Sequence, residues 1–297
     1  MSTTPILVTG APIVVTGATG KLGQLIVQRL LALKQPVRVF TRRPDVARKL
    51  FGESVHVAAG DFGDRRSLDA ALHGANRLLL LSPISARLVT DQIGVADAAV
   101  AAGVQRIVKI SGSDWTIDPP GNSISGDAHA AVERHLASLP AVAVSLRPNA
   151  WMQVSLANTI RHAIANNTVA AAKIEAGVGY IDARDIADVA VHQLLAERVS
   201  GRTLNLTGPD IVTARQVAEL LSTVLKRPVS AVDKAPLPAS QDADFEHRAI
   251  AQFVRLIAAG RAATTTDVVR SLLGRPPRSV AAFISEHVAA EAALAES

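Results

Sequence analysis

The chain has 297 residues, no cysteine, 31 Lys and Arg against 26 Asp and Glu, and a formal net charge of +5. Without a thiol there can be no disulfide, thiolate nucleophile or cysteine-ligated metal or iron–sulfur centre, so any redox chemistry must come from a cofactor. The arginines are scattered and aromatics make up only 3% of residues, which leaves few stacking platforms, so we expect no nucleic-acid partner.

At this length we expect one full domain and a smaller appended part. The stretch Met1 to Pro5 lacks the basic start and long apolar run of a secretory leader. No apolar run approaches the ~20 residues of a membrane span, and the expectation is a cytoplasmic chain with no membrane partner. The first elements come as a near-repeat, Ile6-Leu7-Val8-Thr9-Gly10-Ala11 against Ile13-Val14-Val15-Thr16-Gly17-Ala18. Pro12 stops the first copy and its later glycines are missing, so residues 1–11 are expected to be an extension and 13–16 the first strand.

A helix is expected from Lys21, with Leu22, Leu25, Ile26, Leu30 and Leu33 on one face. Short apolar runs follow at 37–40, 55–57, 78–81, 106–110 and 142–146, separated by stretches long enough for crossover helices. Such runs suit strands buried on both faces. The expected fold class is therefore α/β, a Rossmann-type doubly wound parallel sheet over residues 1–150. Beyond Arg147-Pro148 the rhythm loosens into a helix near 151–165, a strand pair within 168–181, a helix from Ala183 and a strand at 203–206. Thr213 is the expected N-cap of a helix ending near Lys226, and two more helices close the chain. Residues 151–297 are expected to form mainly a smaller α/β substrate-binding part, with 183–206 returning to the first domain. Residues 233–242, with Pro236 and Pro238, suit a linker or lid.

Chemistry enters at Gly17-Ala18-Thr19-Gly20-Lys21-Leu22-Gly23, between the first strand and the first helix. Glycine is needed where the chain turns sharply, where backbone approaches a pyrophosphate and where helix and strand pack closely. Amides at the helix start then face the phosphates, aided by the helix dipole. A dinucleotide is the expected ligand, held by Gly17, Thr19, Gly20, Lys21, Leu22 and Gly23. At the end of the second strand, where a carboxylate would bind the ribose 2′-hydroxyl of NAD, stand Thr41-Arg42-Arg43. A guanidinium fork suits a 2′-phosphate, so NADP(H) is the expected cofactor and NAD(H) the disfavoured alternative. The competing account of Arg42 and Arg43 is a merely solvated pair.

These residues, with Gly60-Asp61-Phe62-Gly63-Asp64, Arg106-Ile107-Val108-Lys109-Ile110-Ser111-Gly112 and Leu146-Arg147-Pro148 in the same order, make the chain resemble the NmrA-like family of atypical short-chain dehydrogenases/reductases nearly end to end. Tyr180-Ile181-Asp182-Ala183-Arg184-Asp185-Ile186-Ala187-Asp188-Val189-Ala190, Leu206-Thr207-Gly208-Pro209 and Arg275-Pro276-Pro277-Arg278-Ser279 match its later landmarks. Within the family it most resembles the bacterial NAD(P)H:quinone oxidoreductase and triphenylmethane reductase branch. The resemblance implies Asp61 and Phe62 beside the adenine, Ser82 and Pro83 along the nicotinamide, and Asn149, Trp151 and Met152 facing a substrate cleft. Each has a plainer alternative: Asp61 as a turn cap, Phe62 as core, Trp151 and Met152 as packing at a strand-to-helix junction.

Ordinary short-chain dehydrogenases use Tyr-x-x-x-Lys as proton donor, but here the only tyrosine is Tyr180 and the expected places hold Ser125 and His129. His129 and Glu133 look like the family's His-x-x-x-Glu and share a helix face, so the carboxylate is expected to orient the imidazole or raise its pKa. Ser111 stands at the usual serine position. His129 and Ser111 are the candidate catalytic residues, against a surface helix pair and a turn residue as alternatives. No metal-ligand spacing and no Gly-x-Ser-x-Gly elbow is present. The expected activity is NADPH-dependent hydride transfer to an electron-poor small-molecule acceptor such as a quinone or conjugated dye. A non-catalytic NADP(H) sensor of NmrA type is the other reading, and a homodimer is the default assembly.

Overall fold

In the computed structural model, which describes residues 10–235 and 243–295, the short apolar runs become a seven-stranded sheet. Its strands are β1 (Ile13–Thr16), β2 (Val37–Thr41), β3 (His56–Ala59), β4 (Arg77–Leu80), β5 (Arg106–Ile110), β6 (Val142–Pro148) and, after the separate strand β7 (Thr168–Ala171), β8 (Thr203–Leu206). The order is β3-β2-β1-β4-β5-β6-β8, and the first six pair in parallel, for example Ile13 with Val37 on one side and Arg77 on the other. Parallel pairing requires crossover helices, and these cover the apolar faces. Only β3, at the edge, is largely uncovered, since edge strands have one neighbour fewer to bury them.

The first helix, Lys21–Ala32, buries Leu22, Gly23, Ile26, Val27 and Leu30. Leu33, expected on that face, is 54% exposed because the helix has ended one residue earlier, and Val27 takes the inward position instead.

Two compact units result. One holds the described residues up to Ser111 with Ala128–Leu146 and Ile186–Leu204; the other holds Gly112–Asp127, Arg147–Asp185 and the described residues from Asn205. The core of the first is aliphatic and alanine-rich, built around Leu78, Leu80, Leu88, Val95 and Ile107. The second is built around Met152, Leu156, Ile160, Leu221, Phe283 and Ile284. Residues 112–127, continuous in sequence with the Rossmann half, group with the second unit: Trp115 packs on Phe253 with the rings tilted by 45° and 4.7 Å between centroids, and Ile124 N donates to Gln252 Oε1 at 2.8 Å.

The expected strand pair within 168–181 does not form. β7 instead pairs in parallel with β9 (Ser230–Asp233), and Val178 makes only an isolated antiparallel bridge to Val212. Local sequence could not show this, because the partner lies some sixty residues away and is chosen by the helix Ala214–Leu225 packed beside both strands. That helix is capped by Thr213 as expected, reciprocally with Gln216. Among the described residues three helices, not two, follow: Phe245–Ala258, Val268–Leu273 and Val280–Ala295. Residues 1–9 of the expected extension and residues 236–242 of the expected linker lie outside the described residues.

Candidate functional site

The sheet order reverses between β1 and β4, and loops at such a point diverge and leave a crevice at the strand ends. Thr16 fastens the two strand ends together. Its hydroxyl lies 3.1 Å from Leu79 O and 2.8 Å from Leu81 O, and accepts from Leu81 N at 2.8 Å.

The chain then turns at Gly17, whose φ of +65° is left-handed and whose missing Cβ would stand 2.8 Å from both Leu81 O and Leu81 Cγ. Gly20 N closes the turn on Gly17 O at 3.0 Å, and Gln24 Nε2 pins Thr19 O at 3.0 Å. Gly23 sits against the loop so closely that a Cβ would fall 2.2 Å from Gly17 O. No side chain caps the helix at Gly20, so its first amides remain available to an anion. The missing Cβ atoms let Leu81 and the start of the helix close on the loop, and the uncapped amides there have the chemistry that suits a pyrophosphate.

Arginines gather at its rim. Arg43 donates to Thr19 Oγ1 at 2.9 Å, which places its guanidinium on the loop itself. Arg42, its side chain 73% exposed, stands 3.8 Å from Asp61 Oδ2, and Arg87 stands 3.8 Å from Asp61 Oδ1. Asp61 also accepts from Gly63 N at 2.8 Å, the turn-capping role foreseen as its plainer alternative. Phe62 stacks on Phe40 at 5.8 Å between centroids, packed against the core. Arg87 was not singled out by sequence; it lies in a loop-to-helix junction where nothing local marks it. Ser82 accepts from Gln92 Nε2 at 2.8 Å, and Gln92 is completely buried. The unit thus places Arg42, Arg43, Asp61, Phe62, Ser82 and Pro83 after the C-terminal ends of β2, β3 and β4.

A second cluster lies at the end of β5. Lys109 is completely buried, and its ammonium lies 2.8 Å from His129 Nδ1, 3.0 Å from Ser111 Oγ and 3.4 Å from Ile110 O. Ser111 Oγ in turn donates to Glu133 Oε1 at 2.5 Å. The expected pairing of Glu133 with His129 is therefore replaced: the carboxylate accepts a hydrogen bond from the serine hydroxyl, and a lysine faces the imidazole. Burial, reinforced by the Lys109 charge, pushes the His129 pKa well below its ordinary value, opposite to the expected rise. Ser111, its proton committed to Glu133 and its lone pair to Lys109, has none left to give while those bonds hold. Lys109 belongs to the Arg106–Gly112 motif, whose spacing alone does not mark it as a site residue. The signal was present, since a lysine among the apolar residues of a central strand, between Val108 and Ile110, needs partners to be buried at all.

This arrangement has a measurable consequence for stability. Unfolded His129 takes a proton near pH 6.5, whereas the folded residue resists until well below that, so between those values the unfolded chain binds more protons. Stability is therefore expected to fall as pH drops below about 6.5, by up to about 1.4 kcal/mol per unit from this group. Urea unfolding across that range checks it, and in His129→Gln the slope should diminish.

In the second unit the three residues expected at a substrate cleft have mainly packing roles. Asn149 is 3% exposed; its Oδ1 accepts from Trp115 Nε1 at 2.8 Å and Ala150 N at 2.7 Å, and its Nδ2 donates to Ala262 O at 3.0 Å. Met152 has no exposed surface and belongs to the apolar core, the packing role given above as its plainer alternative. Trp151 is half-buried and bridges to Ile181. The sole tyrosine, Tyr180, packs among apolar residues, and burial pushes its phenol up to about 12. It is no proton donor near neutrality. Burial opposes ionisation of Asp182, but hydrogen bonds from Arg184 and Gln153 outweigh it and hold that carboxyl low. Asp185, completely buried, is held by the Arg278 amide at 2.7 Å and the Arg275 and Arg278 guanidiniums, joining two motifs ninety residues apart. Among the described residues no cluster suits a metal ion, and no helix is long and apolar enough to cross a membrane.

A parallel sheet with a glycine loop at its switch point defines a Rossmann-type α/β protein. The chain belongs to the NmrA-like family, whose pattern it matches over residues 10–248. A curated relative, (4-alkanoyl-5-oxo-2,5-dihydrofuran-3-yl)methyl phosphate reductase of Streptomyces griseus, is 32% identical over 94% of this chain and 98% of its own. Two solved structures share the fold. The NADPH-dependent quinone oxidoreductase of Escherichia coli, complexed with NADPH, has a TM-score of 0.80 at 23% identity over 92% of this chain and 99% of its own. The triphenylmethane reductase of Citrobacter sp., complexed with NADP(H), has a TM-score of 0.81 at 22% identity over 93% and 99%.

Proposed function

We propose that the chain is an NADPH-dependent reductase acting on electron-poor acceptors, of the quinone or conjugated-dye kind. The observation that carries this reading is the cradle at Gly17 and Gly23, where added Cβ atoms would meet Leu81 and Gly17 O, with Arg42 and Arg43 at its rim. Amides of the Lys21–Ala32 helix start would hold the pyrophosphate, and Arg42 and Arg43 the 2′-phosphate. Asp61, Phe62, Ser82 and Pro83 would line the remainder of the nucleotide. When bound, the nicotinamide supplies the hydride.

The protein's own part is to position and to exclude water. A neutral His129 and a Ser111 already bonded to Glu133 offer no strong acid. That set suits acceptors whose reduced form delocalises charge and does not suit simple ketones, which need a proton as hydride arrives. The names of the Streptomyces, Escherichia and Citrobacter proteins, reductases of a conjugated lactone, quinones and triphenylmethanes, support the same class. Trp151, half-buried where Asn149 and Met152 are not, is the remaining candidate for substrate contact.

The test is to follow nicotinamide absorbance with NADPH and a panel of quinones, azo and triphenylmethane dyes, and acyl-lactones. Sustained consumption with one class is expected. Tight NADPH binding without consumption across the panel would replace the reductase by a redox sensor.

A further inference from the structure

We propose that Lys109 is a positioning residue that holds His129 as the neutral tautomer with its proton on Nε2, making His129 a fixed hydrogen-bond donor and not a proton carrier. The inference concerns the site read above as catalytic and rests on that reading for its role, though not for its geometry.

An ammonium has protons and no lone pair, so at 2.8 Å from His129 Nδ1 it can only donate, and the accepting nitrogen carries no proton. A neutral imidazole keeps one proton, which must then sit on Nε2. An imidazolium would place N–H against N–H₃⁺ at that distance, inside a cluster where Lys109 is completely buried and His129 is 6% exposed. The groups facing His129 are Lys109 from β5 and, through the Ser111 hydroxyl, Glu133 from the helix Ile124–Ser138, which carries His129 itself. Glu133 brings a carboxylate to the same cluster, with Oε1 accepting from Ser111 Oγ, while the proton presented to Nδ1 comes from Lys109. No partner of Nε2 occurs among the described residues. A single N–H of fixed direction is what a ribose hydroxyl or a substrate oxygen can accept, and any proton needed by the product must come from solvent.

Imidazole nitrogen-15 spectra of the full chain, with His129 assigned by the loss of its signals in His129→Gln, test this directly. The expected result is one neutral form protonated on Nε2 from about pH 8 down to about pH 6. An imidazolium at neutrality, or a proton on Nδ1, would overturn the proposal. In Lys109→Met, which keeps the chain length and removes the donor, the His129 midpoint should rise by about one pH unit or more. The turnover profile, flat through that range in the parent, should acquire the same midpoint. An unmoved midpoint in a folded variant would also overturn it. If Lys109→Met does not fold, the tautomer in the parent chain decides alone. Absence of turnover with every acceptor would remove the reductase reading while leaving the tautomer result standing.

Discussion

A Gly23→Ala chain is expected to be less stable than the parent and to show no stabilisation by NADPH. The new methyl would fall 2.2 Å from Gly17 O and 2.6 Å from Ala18 Cα. These are backbone atoms, so no side chain can swing aside; either the helix start withdraws from β1 or the Gly17 turn opens. Overpacking of this kind costs about 1–3 kcal/mol. Either movement also misaims the amides that would receive the pyrophosphate. In the parent, ligand at about a hundred times its dissociation constant should add about 2.7 kcal/mol, which thermal unfolding with and without NADPH resolves easily. Gly20→Ala is the internal comparison: its Cβ would approach Gly17 O only to 3.3 Å, so it should fold nearly as well and lose less. Equal nucleotide responses in Gly23→Ala and the parent would show that the cradle is not where the ligand binds.

The second large effect concerns which dinucleotide is chosen. With Arg42 and Arg43 both replaced by alanine, NADPH affinity should fall about a hundredfold while NADH changes by less than about threefold. A charge-assisted hydrogen bond contributes about 1.5–3 kcal/mol, and each 1.4 kcal/mol is tenfold. Arg43 is anchored on Thr19 of the loop, whereas Arg42 is mostly exposed and only loosely paired with Asp61. The single Arg43→Ala variant should therefore also disturb the loop and weaken both cofactors slightly. Arg42→Ala should act on NADPH alone. Calorimetric titration of each variant separates these outcomes, and equal losses for the two cofactors in the double variant would refute the 2′-phosphate assignment.

Much of this protein was legible in its residues, and for a definite reason. Rossmann architecture is written in local signals: short apolar runs, crossover stretches and a glycine spacing that marks the turn between strand and helix. Sheet type, the turn at Gly17, the intimacy of Gly23 with the loop and the cap at Thr213 all depend on near neighbours, so periodicity and residue type reach them. The arginines after β2 were legible for the same reason, because a strand end delivers its next residues to one predictable place.

What only the tertiary structure decided are contacts between distant elements. Ser111 and Glu133 are twenty-two positions apart, and Lys109 and His129 twenty; helical spacing joined His129 to Glu133, but the fold set a strand lysine against the imidazole and sent the carboxylate to the serine. The same holds for β7, paired with β9 across an intervening helix. Residue type and spacing determine what a group can do, while its charge state and its partner depend on desolvation and on neighbours brought in from elsewhere in the chain, and those exist only after folding.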